Sequence, residues 1–312
     1  MLDGVSLDQL RTFVAAADEG SFSAAGRYLK RTQSAVSESI ANLEAQLAVM
    51  LFDRRARYPQ LTTEGRVLLA DARSVVAGVD CMKARAKGIS GGLEAELAAV
   101  IDVFVPITAI AEAAHAFQGQ FPTTPLRLYV EALGSTVQLV MDGRASFGLV
   151  GSLPTLPAGL LAERVTGVGF VMVAAATHPL AGHNGIIPRE ELARHVQLVL
   201  TDRTDLSAGR DFGVMSPLTW RLADLFAKHA FLLSGLGWGG MPLHAVAKDM
   251  AEGRLVELSI QDVPPGGLQL PISAVYRIDA PPGPAGRWMI DRLKQCSNEV
   301  RDRSPVDRGA SV

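Results

Sequence analysis

The chain has 312 residues, enough for two or three compact units, and it is 48% hydrophobic, so most of it folds around real cores. Its net charge of −2 argues against bulk electrostatic binding of nucleic acid. The imbalance along the chain is small: residues 1–92 carry 12 Lys+Arg against 10 Asp+Glu, net +2, which leaves −4 for the remainder.

Cys81 and Cys296 are the only cysteines, too few for a disulfide framework and without metal-ligand spacing. They read as reduced packing or surface thiols, with a redox sensor as the alternative. No signal peptide is evident. The most apolar stretch, about 165–176, is too short to span a membrane as a helix. The expectation is a cytoplasmic protein with no cofactor and no membrane partner.

The first element is a helix opened by Ser6-Leu7-Asp8-Gln9, a capping-box pattern, and continued by Leu7, Leu10, Val14 and Ala17. Residues 20–47 then read as two short helices joined by a basic turn, Lys30-Arg31. Thr32 stands at the N-cap of the second. Val36, Ile40, Leu43 and Leu47 form one apolar stripe. Away from that stripe lie Gln33, Ser34, Ser37 and Glu38. Gln pairs with adenine through two bonds, Ser with several bases, and a carboxylate accepts from the cytosine amino group. Ala24 and Ala25 let the helices cross closely. A plain helical hairpin shares these features. Residues 51–63 add Arg54, Arg55 and Arg57 before Pro59, a pattern for a β-hairpin wing whose arginine forks suit phosphate; a solvated charged loop is the alternative.

Phe13, Gly20-Ser21-Phe22-Ser23, Ala24-Ala25, Leu29, Gln33, Ala35-Val36-Ser37, Ile40, Leu43-Glu44, Leu51-Phe52, Arg54, Leu61-Thr62 and Gly65 occur in the order seen in one family. Residues 1–88 resemble the winged helix-turn-helix and linker of the LysR-type transcriptional regulators. Ser34 departs from a frequent proline, and Glu38 from a residue that is often basic or amide.

From about Thr63 to Lys87 a long helix is expected, about 36 Å at roughly 1.5 Å per residue. Leu68, Ala72, Val75, Val79, Met82 and Ala86 form a heptad seam. Packing on its own domain competes with pairing to a second chain. Little apolar sequence nearby is left to cover the seam, which favours the second chain. The resemblance implies the same: the linker pairs two subunits, giving a homodimer or homotetramer on a pseudo-palindromic double-stranded DNA operator.

Gly88–Gly92 marks a break. Beyond it, strands are expected at Leu97–Val105, Pro125–Leu133, Phe147–Val150, Val168–Ala175, Val196–Leu200, Phe231–Leu233 and Leu268–Tyr276. Helices are expected at Pro106–Phe121, Thr136–Asp142, Arg189–His195, Trp220–His229 and Pro242–Glu252. The alternation suggests parallel α/β sheets. The resemblance extends here through His178-Pro179-Leu180 and Ser234–Leu258. It implies an effector-binding domain like a periplasmic binding protein, with two α/β subdomains around a small-molecule cleft. The resulting division is 1–62 winged helix-turn-helix, 63–88 linker helix and 93–300 effector-binding domain. Subdomain I takes 93–163 and 267–300, subdomain II takes 164–266, and 301–312 forms a flexible tail.

Ligands in such sheets sit beyond strand carboxyl ends and at helix N-termini. Three loops qualify: Asp102-Val103-Phe104; Gly134 with Ser135 and Thr136, whose hydroxyls serve as cap or as cap plus ligand contact; and Thr201-Asp202-Arg203. A carboxylate at Asp102 discourages an anionic ligand. Gly235, Gly237 and Gly240 match G-x-G-x-x-G, with Glu257 downstream, but too late in the chain for a dinucleotide fold. They read instead as a tight strand-to-helix turn, with Trp238 either core or cleft wall. A cofactor-dependent enzyme with an accessory helical domain is the rival reading. It lacks a G-x-S-x-G, an H-E-x-x-H or a paired-cysteine motif, and the six histidines form no ligand spacing.

Overall fold

In a computed structural model, residues 4–55, 59–207 and 212–303 are described. The chain divides into Met1–Ser90 and Gly91–Val312.

The first unit orders α1 (Leu7–Asp18), α2 (Phe22–Leu29), α3 (Gln33–Leu47), β1 (Phe52–Asp53), β2 (Gln60–Leu61) and α4 (Thr63–Ser90). The capping box forms: Gln9 N donates to Ser6 Oγ, and Ser6 N donates to Gln9 Oε1. Phe13, Ala25, Val36, Ile40, Leu43, Leu51 and Phe52 make the core. Phe13 and Phe22 both meet Phe52 edge-on, which locks the β1–β2 hairpin to the helices. Gly26 is required where α2 meets the turn, since a Cβ there would lie 2.8 Å from the Arg31 carbonyl oxygen.

Helix α4 starts as part of this domain and then leaves it. Leu69 and Ala72 are buried in the core, Leu68 packs against it, and ion pairs Arg11–Asp80 and Arg73–Asp18 tie α4 to α1. Beyond Ala72, Val75 and Met82 are exposed and Val79 is half-buried. The expected seam is therefore split. Leu68 and Ala72 serve their own domain, while Val75, Met82 and Ala86 are exposed.

Among the described residues, the second unit holds nine strands in one sheet. In chain order they alternate with helices as β3 (Leu97–Asp102), α5 (Ile107–Gln120), β4 (Leu126–Glu131), α6 (Gly134–Met141), β5 (Phe147–Val150) and β6 (Leu160–Ala175). Then come α7 (Arg189–Leu192), β7 (Gln197–Leu200), β8 (Thr219–Leu222), α8 (Leu225–Leu233), β9 (Trp238–Pro242), α9 (Leu243–Ala251), β10 (Leu255–Glu257), β11 (Leu268–Arg277) and α10 (Pro284–Arg303). The spatial order is β4-β3-β5-β11-β6-β9-β7-β8, with β10 beside β6. The sheet is mixed, not purely parallel. Parallel trios β4-β3-β5 and β9-β7-β8 flank the long antiparallel pair β6–β11, whose register shifts between Ile272 and Ser273.

Three expectations are corrected. Trp220 is on strand β8, paired with Leu198, because the helix waits for Asp224, whose carboxylate caps Ala227 N at 2.6 Å. Phe231–Leu233 continue α8 instead of forming a strand. Helix α10 was not anticipated, and it carries residues 301–303 of the expected tail; the rest of that tail lies outside the described residues.

The glycine-rich run joins α8 to β9 and then forms much of β9. A Cβ at Gly237 would strike the Val196 carbonyl, at Gly239 the Leu198 carbonyl, and at Gly240 the Phe170 ring. These glycines allow close strand packing, which accounts for the motif without a dinucleotide. Among the described residues, no helix is long and apolar enough to cross a membrane.

Candidate DNA interface and ligand cavity

Helix α3 has two unlike sides. Val36, Ile40 and Leu43 are fully buried, whereas Gln33, Ser34 and Glu38 are exposed and Ser37 is half-buried. Thr32 Oγ1 accepts from Ala35 N at 3.2 Å and sits 3.0 Å from Ser34 Oγ. The start of the helix is thus fixed while its outer side chains stay available. In the turn, Lys30 is exposed and adopts a left-handed backbone with φ 55°.

The arginines divide by their partners. Arg31 forks onto Asp8 at 2.6 and 2.7 Å, and its hydrogen bonds hold the Asp8 carboxyl below the usual carboxylate range. Glu44 is buried and accepts from Leu51 N, Phe52 N and Arg54 Nη2 at 2.8, 3.0 and 2.7 Å. Arg54 also lies over the Phe22 ring, 5.5 Å from its centroid. Expected as phosphate ligands, Arg31 and Arg54 are engaged within the domain, and Arg54 joins the wing to α3. Arg55 points outward, its side chain 92% exposed and, among the described residues, paired with Asp53, whose pKa the Arg55 bonds lower to about 2. Arg57 lies outside the described residues.

The second unit contains a cavity of about 440 Å³. Phe104, Phe170, Met172, Leu198, Leu268 and Leu270 supply apolar lining; Thr201, Asp202, Thr204, Arg221 and Lys228 supply polar groups. Of the expected ligand residues, Phe104, Thr201 and Asp202 line it. Asp102, Val103, Ser135, Thr136 and Trp238 do not.

The reasons are local. Asp102 is fully buried, accepting from Phe104 N at one oxygen and from Gly151 N, Ser152 N and Ser152 Oγ at the other, at 2.6 to 3.0 Å. Burial pushes its pKa up, and the hydroxyl and amides oppose that. It ties two loops together and does not line this cavity. Val103 follows the strand end and packs against the core. Ser135 and Thr136 do not cap α6, which has no side-chain cap of its own. Instead Asp202 reaches across and accepts from Gly134 N at 2.9 Å. Thr136 is fully buried, and Trp238 is fully buried in the core beside Met172 and Leu192. Lys228 and Arg221 were missed. Lys228 left one faint signal, a lone cation inside the apolar run Leu225–Leu233.

A helix-turn-helix unit with a wing, followed by an α/β unit enclosing a ligand-sized cavity, is the plan of a ligand-responsive DNA-binding regulator. Comparison with known proteins gives the family. The model described as bacterial regulatory helix-turn-helix protein, lysR family, matches residues 7–66, and the LysR substrate binding domain matches residues 97–297. The chain belongs to the LysR family of transcriptional regulators, DNA-binding proteins whose C-terminal domain binds a small-molecule effector. It is 28% identical to the HTH-type transcriptional regulator AceR of Acinetobacter baumannii over 292 residues, 93% of this chain and 97% of that one. It is 30% identical to the regulator PunR of Escherichia coli over 258 residues, 80% of this chain and 81% of that protein. Among solved structures, a mutant of OxyR from Corynebacterium glutamicum shares the fold with TM-score 0.57 and 24% identity, over 94% of this chain and 93% of that one.

Proposed function

We propose that this regulator reads its operator through the exposed face of α3, by Gln33, Ser34, Ser37 and Glu38. Lys30 and Arg55, with Arg57, meet the flanking phosphates. The carrying observation is the contrast on α3: a fully buried stripe fixes the helix while Gln33, Ser34 and Glu38 stay exposed. Phosphate contacts position such a helix and base contacts specify the sequence. The uncovered half of α4, with Val75, Val79 and Met82, pairs two subunits, so the operator is a pseudo-palindrome. The effector occupies the cavity between the two parallel trios of strands, and its differential affinity for two closures sets the regulatory response. The protein acts as a cytoplasmic regulator, not as an enzyme.

Selection from a random duplex library with the full-length protein tests this. An enriched inverted repeat whose base preferences change in Gln33→Ala supports the reading. Unchanged preferences in Gln33→Ala and Ser37→Ala, with both variants folded, would reject the recognition face.

A further inference from the structure

Of the charged residues lining the cavity, Lys228 alone is buried among the described residues, at 4% exposure. Its Nζ donates to the Gly240 carbonyl oxygen at 2.7 Å. An ammonium has three N–H donors, and among the described residues this carbonyl is the one acceptor it has. Gly239 makes room for it: a Cβ there would press on Lys228 Cε at 3.3 Å.

Three backbone amides near the cavity already have acceptors within the protein. The Gly151 and Ser152 amides donate to Asp102, and the Gly134 amide at the start of α6 donates to Asp202. Arg221 is exposed and has its own partner. Among the described residues, strands β6, β7 and β9 bring no titratable side chain to the cavity, and Asp202, Asp205 and Arg221 are the other charged residues lining it.

We propose that Lys228 anchors the negatively charged head of an otherwise apolar effector, with the charge against α8 and β9 and the body against Phe104, Phe170, Met172 and Leu270. This rests on the cavity being the effector site. A buried ammonium without a counter-charge is costly, and a bound carboxylate supplies both the charge and further acceptors. Burial lowers the Lys228 pKa to about 7. Anion binding raises it again, so binding takes up a proton at about pH 8 and little at about pH 6.

The test is calorimetry on the full-length protein with 4-phenylbutanoate and octanoate, their primary amides and the corresponding amines, in buffers of different ionisation enthalpy. The carboxylates are expected to bind at least about tenfold tighter than the amides and to take up protons near pH 8. Lys228→Met should lose roughly ten- to a hundredfold in carboxylate affinity together with the proton uptake. Equal carboxylate binding by Lys228→Met overturns the anchor, as does equal or tighter binding of amides or amines, or no carboxylate binding at all. Leu270→Trp, which fills the cavity, separates the two readings. Carboxylate binding blocked by Leu270→Trp but untouched by Lys228→Met removes the anchor alone; binding untouched by both removes the cavity reading as well.

Discussion

The Asp202 carboxylate accepts a hydrogen bond from Gly134 N at 2.9 Å, joining the loop after β7 to the first turn of α6. Its other oxygen holds Thr204 N and Oγ1. One side chain thus caps a helix in one strand trio from a loop of the other. Asp202→Ala leaves the Gly134 amide without its partner and should cost about 1–2 kcal/mol. Hydrogen exchange should quicken at the first turn of α6, and a protection pattern equal to wild type would mean that the contact carries no stability.

Arg54 and Arg55 are neighbours with different duties. Arg54 bonds the buried Glu44, so Arg54→Ala leaves a buried carboxylate short of its counter-charge and should lower the melting temperature of the N-terminal unit. Arg55→Ala should leave the melting temperature alone and reduce the slope of log affinity against log salt by about 1. Identical behaviour of the two variants in both assays would contradict the division.

Glu38 presents an exposed carboxylate on the base-reading side of α3. Near phosphates it is repulsive unless it accepts from a base amino group. Glu38→Ala should relax the preference at one base pair per half-site, worth roughly 1–3 kcal/mol, and strengthen binding to unrelated DNA. Competition binding against a set of single-base operator variants reads both effects.

Lys228 makes stability depend on pH in a defined sense. Its folded pKa of about 7 lies below the ordinary 10.5, so between these values the unfolded chain binds more protons and stability rises with pH. The penalty is full below about pH 7. Lys228→Met should be more stable than wild type at neutral pH and should lose that rise. Denaturant unfolding across about pH 7 to 10 checks it, with parallel curves for the two proteins as the contrary result.

Val75 and Met82 are exposed on α4. Val75→Glu with Met82→Glu should shift the protein toward monomer in sedimentation velocity and weaken operator binding, while circular dichroism stays unchanged. A persistent dimer would move the interface elsewhere.

Much of the helix-turn-helix was legible because its determinants are local. Ser6 and Thr32 each cap the helix that follows within three residues, and the stripe Val36, Ile40, Leu43 repeats at helical spacing. The cavity was not legible in the same way. Its lining joins residues from Phe104 to Leu270, and no periodicity records which strands become neighbours. The Asp102-Val103-Phe104 loop shows the limit: its position after a strand was readable, but only Phe104 turns to the cavity, while Asp102 is used up by Gly151 and Ser152. Trp220 and α8 show another. The apolar residues suited a helix throughout, and pairing of Thr219–Leu222 with β7 overrode that local preference.

Sequence by itself determined the DNA-reading unit, the long helix after it and the α/β alternation beyond, because caps, turns and apolar periods act over a few residues. Tertiary structure alone decided which charges remain available. Asp8 engages Arg31, Glu44 engages Arg54, Asp202 engages Gly134, and Lys228 is buried against the Gly240 carbonyl. These pairings depend on distance in space, and the energy of a charge depends on what surrounds it once the chain has folded.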